Sequence, residues 1–399
     1  MNPNRPTCSL IIPTRNRCEI LDHTLDKINA LTDRHFETLV VDNASTDDTP
    51  KLKECFPNVH WIEPGHNLGS AARNLAAAAA RGRILLMLDD DSWPEDGTIE
   101  KIVTLFDRRP DLGAVACRVL LADPPDRHDA GGVPGIFFNC GGAIRRIAFI
   151  EAGGFPIDFD YYVEEYALAC RLWQKGWRVE PRGDLRIRHR RTRANRDNDR
   201  MLRCLVRNNL VVWQRYAPDD RLEDLIASTI ERYARVAAKE DARRGFQEGL
   251  REGSARIAGG LIRRTPLTAD QFDELFGLPA ATRAVRRWTD KYNIRSVSIW
   301  SRGKGCELLV DLLISVGISI HVVYDHADAI GADTEWRRVP LQCEERFTPD
   351  QSDGLVVGSL SPGVAEDTRR ALANRFPGIP ILSAAPWMEE STARLAISA

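Results

Sequence analysis

The sequence predicts an α/β protein in which two sheet-bearing regions are separated by helices. Three observations lead there. Short apolar runs alternate with helical periods over the first half of the 399-residue chain, the stretch from Met201 to Arg251 shows helical periodicity alone, and strand-like runs resume at Ser296. The expected divisions are a mixed-sheet domain over 1–217, a helical linker over 218–282 and a smaller α/β domain over 283–399.

The first strand is Cys8 to Ile12, broken by Pro13 and followed by the polar turn Thr14-Arg15-Asn16-Arg17. A helix with Ile20, Leu21, Leu25, Ile28 and Leu31 on one face comes next. The run Phe36 to Val41 then repeats the pattern and ends in Asp42 and a cluster of cap-forming residues, which completes a βαβ unit. A strand near Val59 to Ile62 leads to Asn67-Leu68-Gly69-Ser70-Ala71-Ala72-Arg73-Asn74, the opening of an alanine-rich helix. After it, Arg83 to Leu88 reads as a buried strand that delivers Asp89, Asp90 and Asp91 to a sheet edge. In an open parallel sheet ligands bind beyond the carboxyl ends of the strands. Pro13, Thr14, Arg15, Asp42 and the acid triplet are all expected there.

Three adjacent carboxylates repel one another, and a hard divalent cation offsets that repulsion while leaving room for water and phosphate oxygens. An isolated acid triplet also fits a solvated loop, or the N-cap of a helix beginning near Pro94-Glu95. Asp42 alone fits a turn cap, and Arg73 alone a surface arginine. Together with the turn after Pro13 they read better as one nucleotide pocket, in which Asp42 can accept from a pyrimidine N–H, Arg73 can neutralise phosphate, and Mg²⁺ or Mn²⁺ can bridge a diphosphate.

Composition narrows the function classes. Fifty-five Lys and Arg stand against 57 Asp and Glu, for a net charge of −2, which argues against a nucleic-acid binder. Nine scattered cysteines with no C-x-x-C pair and no secretory leader imply reduced thiols and a cytoplasmic location. No apolar run approaches the roughly 20 residues that span a bilayer, although contact with a membrane surface stays open.

The motifs "SLIIPTRNR", "LVVDNASTDDT", "NLGSAARN" and "ILLMLDDDSWP", in this order, resemble those of family 2 inverting glycosyltransferases with the GT-A fold. The resemblance runs on through "NCGGAIRRIAFIEAGGF" and "VEEYALACRLWQKGWRV" to His189. It implies that Pro13, Thr14, Arg15, Asp42, Arg73, Asp89 and Asp90 contact a nucleotide-sugar donor, and that Asp89, Asp91 and His189 surround the metal. Gly153 and Gly154 let the backbone approach a sugar closely. Family members commonly carry Glu-Asp where this chain has Glu164-Glu165, so Glu165 becomes the expected general base on the acceptor and Glu164 its partner. Both glutamates also favour a helix N-terminus electrostatically. Ala167 replaces an acid found in many relatives.

Past Trp177 to Glu180, another strand, the segment 182–193 is densely basic, and the alternation in Leu185 to His189 suggests a strand aimed at the site. Its arginines suit a diphosphate leaving group or a phosphorylated, lipid-linked acceptor. The helices from Met201 to Arg251 close over the pocket, pair subunits, rest on a membrane or simply pack a core; periodicity does not choose, and core packing is the expectation. From Ser296 the pattern resembles a small Rossmann-like domain. Its turn Ser301-Arg302-Gly303-Lys304-Gly305-Cys306 lacks the first and third glycines of G-x-G-x-x-G, with Asp325 placed as a ribose-binding acid. The expectation is a domain that has lost dinucleotide binding and serves assembly or acceptor docking. The full reading is a metal-dependent inverting transferase moving a sugar from a UDP or dTDP donor to a hydroxyl or amine on a polysaccharide, lipid-linked or small-molecule acceptor. The alternatives are a catalytically silent nucleotide-sugar-binding or scaffold protein, and a nucleotidyltransferase.

Overall fold

The computed structural model describes residues 6–125, 127–129, 131–192, 197–260, 262–330, 333–385 and 387–388. The chain divides into two units: residues 1–127, 136–268 and 388–399 in the first, and 128–135 with 269–387 in the second. The fold class anticipated from the sequence is the one observed, a mixed sheet with helices in the first unit and a second, smaller α/β sheet in the other.

The first sheet is built from β1 (Cys8–Thr14), β2 (Phe36–Asp42), β3 (His60–Ile62), β4 (Ile84–Met87), β5 (Ser92–Pro94), β6 (Leu112–Leu121), β7 (Gly142–Arg145) and β8 (Arg178–His189). Their order is β3-β2-β1-β4-β7-β6-β8-β5. The strands β3, β2, β1 and β4 run parallel, which puts the ends of β1, β2 and β4 on one edge with Thr14 opposite Asp42. β7 pairs antiparallel to both β4 and β6. Continuous apolar stretches such as Leu10–Ile12 and Ile84–Leu88 are buried on both faces, as strands covered on two sides must be.

Two elements differ from the sequence reading. No helix starts at Pro94-Glu95: Ser92–Pro94 forms β5, antiparallel to Ile187–His189, and the helix begins at Thr98 after Gly97 in the left-handed region. Pro94 tolerates this because β5 is an edge strand, where a missing N–H breaks no ladder. The strands expected at Trp177–Glu180 and Leu185–His189 are one, β8, with an irregularity in its pairing to β6 between Arg182 and Arg186. Of the basic segment, Arg182 lies fully buried against Asp184, and Arg186 and Arg188 pair with Glu95, while Arg193 lies outside the described residues.

The helical stretch belongs to the first unit. Helix Asn198–Tyr216 starts at Asp197, whose side chain caps the Arg200 N–H. The long helical run beyond Arg221 breaks at Glu240–Ala242 into Leu222–Lys239 and Arg243–Ala258, with Asp241 at φ 50°. Among the described residues no helix is long and apolar enough to cross a membrane. Glycines 245, 249 and 253 share one face of the last helix at the i, i+4 spacing. A Cβ on Gly245 would stand 2.0 Å from the Asp199 carbonyl oxygen, and one on Gly249 2.5 Å from that of Arg203. The missing side chains let this helix lie directly on Asn198–Tyr216.

The second unit carries β9 (Ser296–Trp300), β10 (Ser319–Asp325), β11 (Glu335–Trp336), β12 (Val339–Cys343), β13 (Gly354–Val357) and β14 (Ile381–Leu382) in the order β11-β12-β10-β9-β13-β14. All pairs are parallel except β11 with β12. The turn after β9 is occupied by the protein itself. Gly303 N–H donates to the Gly358 oxygen at 2.7 Å, and Leu360 N–H to the Lys304 oxygen at 2.8 Å. Arg302 Nε donates to Asp325 at 2.8 Å with both side chains buried. An internal guanidinium thus holds the acid that would receive a ribose.

Two measurements follow from this packing. Gly249→Ala gains up to about 1 kcal/mol of helix propensity but loses about 1–3 kcal/mol to overpacking against backbone. Urea unfolding followed by helical circular dichroism is expected to show it less stable than the chain with Ser254→Ala on the exposed face. Titrating the full chain with NADH, read by nucleotide fluorescence, is expected to show no saturable binding below about 1 mM, because the weakest specific sites lie near −4 kcal/mol and the Gly303 N–H and Arg302 Nε–H are already committed to Gly358 and Asp325. Micromolar binding would refute the reading of that turn.

Candidate active site

The site begins with how the ends of β1, β2 and β4 are laced together. Asn43 N–H donates to the Thr14 oxygen at 2.9 Å, Thr46 N–H to Asn16 Oδ1 at 2.7 Å, and Asn16 N–H to Ser45 Oγ at 2.9 Å. Asn43 also reaches the third motif: its Oδ1 accepts from Leu68 N–H, and its Nδ2 donates to the Gly69 oxygen. Asp42 is buried and accepts from Ser45 N–H at 2.9 Å. β1 is not broken at Pro13, as the sequence suggested, but runs through it, opposite Val41, to Thr14, and Arg15 is exposed at this edge.

The acid triplet separates into three environments. Asp90 is buried and turned inward, where it accepts from Thr14 Oγ1 at 2.9 Å and pairs with Arg17. Burial pushes its pKa up to about 6, against the opposing pull of Arg17. Asp91 is also buried, but burial is outweighed by His189 and by the Thr192 N–H and Arg17, so its pKa falls to about 2. His189 Nε2 lies 3.0 Å from Asp91 Oδ1, and Thr192 donates from both N–H and Oγ1 to Oδ2 at 3.0 and 3.1 Å. Asp89 is the open member: its side chain keeps 38% exposure and pairs with the buried Arg73.

The pairing of β5 with β8 explains this arrangement. Ser92 stands opposite His189 in the ladder, so Asp91, one residue earlier, is carried onto the histidine. Donor atoms of Asp89, Asp91 and His189 all lie within 4.8 Å of one another. Two carboxylates and an imidazole at that spacing fit Mn²⁺ or Mg²⁺, with Asp89 facing the open side.

On the other flank, Gly153 and Gly154 have φ of 77° and 66°, and the segment after them is clamped by Asn74. Asn74 donates from Nδ2 to the Phe155 oxygen at 2.9 Å and accepts from Phe155 N–H at 2.8 Å. A Cβ on Gly154 would lie 2.7 Å from the Asn74 oxygen, so glycine is required there on both counts. The helix Glu164–Gln174 follows, with Glu164 and Glu165 buried at its first turn. Asn139 serves both: its Nδ2 donates to Glu164 Oε1 at 2.8 Å, and its N–H reaches Glu165 Oε1 at 3.4 Å. Glu164 Oε2 is buried without a partner. Burial raises the pKa of both; Glu165 adds to the effect at Glu164, and Arg73 opposes it at each.

The structure therefore brings Arg73, Asp89, Asp91 and His189 together, sets Glu164 and Glu165 within electrostatic reach of Arg73 and Asp89, and turns Asp90 toward Arg17. Sequence reasoning missed Arg17, Asn43, Asn74, Asn139 and Thr192. Asparagine was the overlooked signal: Asn16, Asn43 and Asn74 each bond backbone groups of another motif, and Asn139 bonds the two glutamate carboxylates.

Residues 9–129 match the sequence profile of the family described as "Glycosyl transferase family 2". The similarity to that family of glycosyltransferases covers the N-terminal region of the chain. Among curated proteins, the chain is 28% identical over 233 residues to the O-antigen biosynthesis protein RfbC of Myxococcus xanthus, covering 48% of this chain and 18% of the relative. It is 25% identical over 218 residues to the O-antigen chain rhamnosyltransferase WbaN of Salmonella anatum, covering 46% and 66%. The chain thus spans less than two thirds of the length of either. A crystal structure of S. aureus TarS 1-349 in complex with UDP-GlcNAc aligns with a TM-score of 0.49 and 14% identity, covering 71% of this chain and 87% of that one.

The metal-site geometry is tested by Mn²⁺ titration of the full chain, followed by the loss of the free-ion paramagnetic resonance signal. Asp91→Asn is expected to weaken Mn²⁺ binding at least tenfold, in the range typical of disturbed metal shells, with an unaltered circular dichroism spectrum. Equal affinity in the two proteins would remove Asp91 from the ligand set.

Proposed function

We propose that this chain is a metal-dependent inverting glycosyltransferase that moves a sugar from a nucleoside diphosphate donor, UDP or dTDP in preference to a purine nucleotide, to a hydroxyl or amine acceptor. One observation carries the reading: in a chain matching glycosyltransferase family 2, the Asp89–Asp91–His189 cluster, the buried Arg73 and the buried pair Glu164–Glu165 converge beyond the ends of the central strands. Asp42, on the adjoining strand end, is the pyrimidine contact, with Pro13, Thr14 and Arg15 beside it. The nine cysteines are free, which agrees with a reducing, cytoplasmic setting.

Asp89, Asp91 and His189 would hold Mn²⁺ or Mg²⁺, which when bound neutralises charge on the diphosphate. Arg73, whose Nε–H is buried and unmatched, adds a fixed cation on the same side. Glu165 accepts the proton of the acceptor hydroxyl as its oxygen attacks the anomeric carbon from the face opposite the diphosphate. The new glycosidic bond forms as the sugar–phosphate bond breaks, and the anomeric centre inverts. Burial of both glutamates strengthens every charge interaction there. A second reading makes Glu164 the base, favoured by its unpartnered Oε2. The second unit serves acceptor docking or assembly.

The test separates the two glutamates and the silent-protein alternative. Hydrolysis of UDP-glucose with Mn²⁺, and transfer to an acceptor panel, are measured together with UDP affinity. Glu165→Gln is expected to lower turnover about 10²- to 10⁴-fold with UDP affinity nearly unchanged, the range for a lost general base, and Glu164→Gln to do less. The base works only when ionised, and burial raises its pKa; turnover should therefore rise with pH through a limb above the usual carboxylate range near 4.3. A dead Glu164→Gln beside a normal Glu165→Gln would exchange the two roles. A wild-type chain that binds UDP-sugars but never transfers or hydrolyses them is the silent protein.

A further inference from the structure

The turn that leads into Glu164 is held in a conformation its side chains oppose. Asp160, Tyr162 and Val163 have φ of 61°, 69° and 71°, and none is glycine. The left-handed region is disfavoured for any L side chain and most of all for a β-branched one such as Val163. Val163 is also the N-cap of the glutamate-bearing helix, and the Tyr166 and Ala167 N–H groups donate to its carbonyl. Whatever fixes this turn fixes the direction of Glu164 and Glu165.

Helix Asn198–Tyr216 supplies the hold. Asn208, fully buried, directs its Nδ2 to the carbonyl oxygens of Phe159, Tyr161 and Tyr162 at 2.9, 3.0 and 2.9 Å. Its own Oδ1 accepts from Arg207 Nε at 2.9 Å, which orients the amide, and Arg207 Nη2 donates to the Phe159 oxygen at 2.8 Å. Arg207 is balanced by Glu252 at 3.4 Å on the glycine-faced helix Arg243–Ala258. From the opposite side, Ser70 N–H donates to the Asp160 oxygen at 2.7 Å. The nucleotide-side motif and the helical stretch thus grip one turn between them.

We propose that Asn208, oriented by Arg207, is a positioning residue that keeps the Phe159–Val163 turn left-handed and so aims Glu164 and Glu165 at the sugar-transfer site. The effect on turnover rests on the glycosyltransferase reading; the hold on the turn does not. A buried asparagine that merely satisfied carbonyls would be indifferent to strain in the turn, whereas one that opposes strain matters less once the strain is removed. Glycine accepts positive φ without penalty, so Tyr162→Gly, at a half-exposed position, removes part of it.

The experiment is hydrogen–deuterium exchange on the full chain and its variants, read on peptides spanning 159–167. Asn208→Ala is expected to speed exchange there at least tenfold, leaving β1 and β4 protected as in the wild type. Adding Tyr162→Gly to Asn208→Ala should recover at least threefold of that loss. Unchanged exchange in Asn208→Ala, or a Tyr162→Gly effect that adds to the loss instead of offsetting it, overturns the proposal. Should Asn208→Ala fail to fold, Asn208→Ser is read by the same criteria. In parallel, with UDP-glucose and Mn²⁺ as the probe, Asn208→Ala should lower turnover 10- to 100-fold while UDP affinity stays within twofold; parallel losses in both overturn the positioning role. A wild-type chain inert toward UDP and UDP-glucose counts against the transferase reading alone, and the exchange result still decides the role of Asn208.

Discussion

Five carboxylates, Asp89, Asp90, Asp91, Glu164 and Glu165, lie buried or partly buried at one edge of the sheet, and the charge they carry is the constraint on which the first unit depends. Like charges at such spacing cannot all stay ionised without compensation. The fold answers each differently. Arg17 and Thr14 hold Asp90 inward, His189 and Thr192 hold Asp91, Arg73 meets Asp89, and Asn139 meets the glutamates with neutral donors. Strong donors keep Asp91 ionised well below the usual range, while the glutamates, with only amide donors and a more distant guanidinium, are pushed toward the protonated form. In the proposed reaction the two behaviours would suit two tasks, a fixed anion for cation binding and a titrating group for proton transfer.

This division explains why the triplet cannot be read as three equivalent ligands. Consecutive residues leaving a strand point in alternate directions. Asp89 and Asp91 therefore share one side and Asp90 takes the other, where Thr14 of the neighbouring strand and Arg17 of the following turn wait for it. The inward acid ties the turn after β1 to the turn after β4. The pair Asp89 and Asp91 depends on β5, a three-residue edge strand whose sheet partner among the described residues is the end of β8.

Most of the parallel half of the sheet was legible in the sequence because β1, β2 and β4 each carry a continuous apolar run that ends at polar residues, a pattern that survives without tertiary information. β5 was not. Ser92-Trp93-Pro94 has neither the length nor the alternation of a strand, and it becomes one only because the end of β8 lies beside it. The helix Asn198–Tyr216 was legible only in part: its apolar positions were evident, but the polar Arg207, Asn208 and Asn209 are buried as well, which apolar periodicity does not signal. A run of polar residues inside an otherwise amphipathic helix is a local inconsistency, and such inconsistencies concentrate where function or strain requires them.

The glycine-faced helix Arg243–Ala258 gains meaning from that polar triplet. A buried arginine such as Arg207 needs an anionic partner brought close, because removing a charge from water costs more than a single neutral hydrogen bond returns. Glu252 is that partner, and it sits one residue before Gly253, in the face that packs against Leu210 and Arg207. Side chains at 245, 249 and 253 would push the helix outward and carry Glu252 away from the guanidinium. The small residues, the ion pair, the asparagine and the left-handed turn thus form one mechanical sequence, each link holding the next against a local preference. A stretch expected from the sequence to be a helical linker is in this way joined to the buried glutamates.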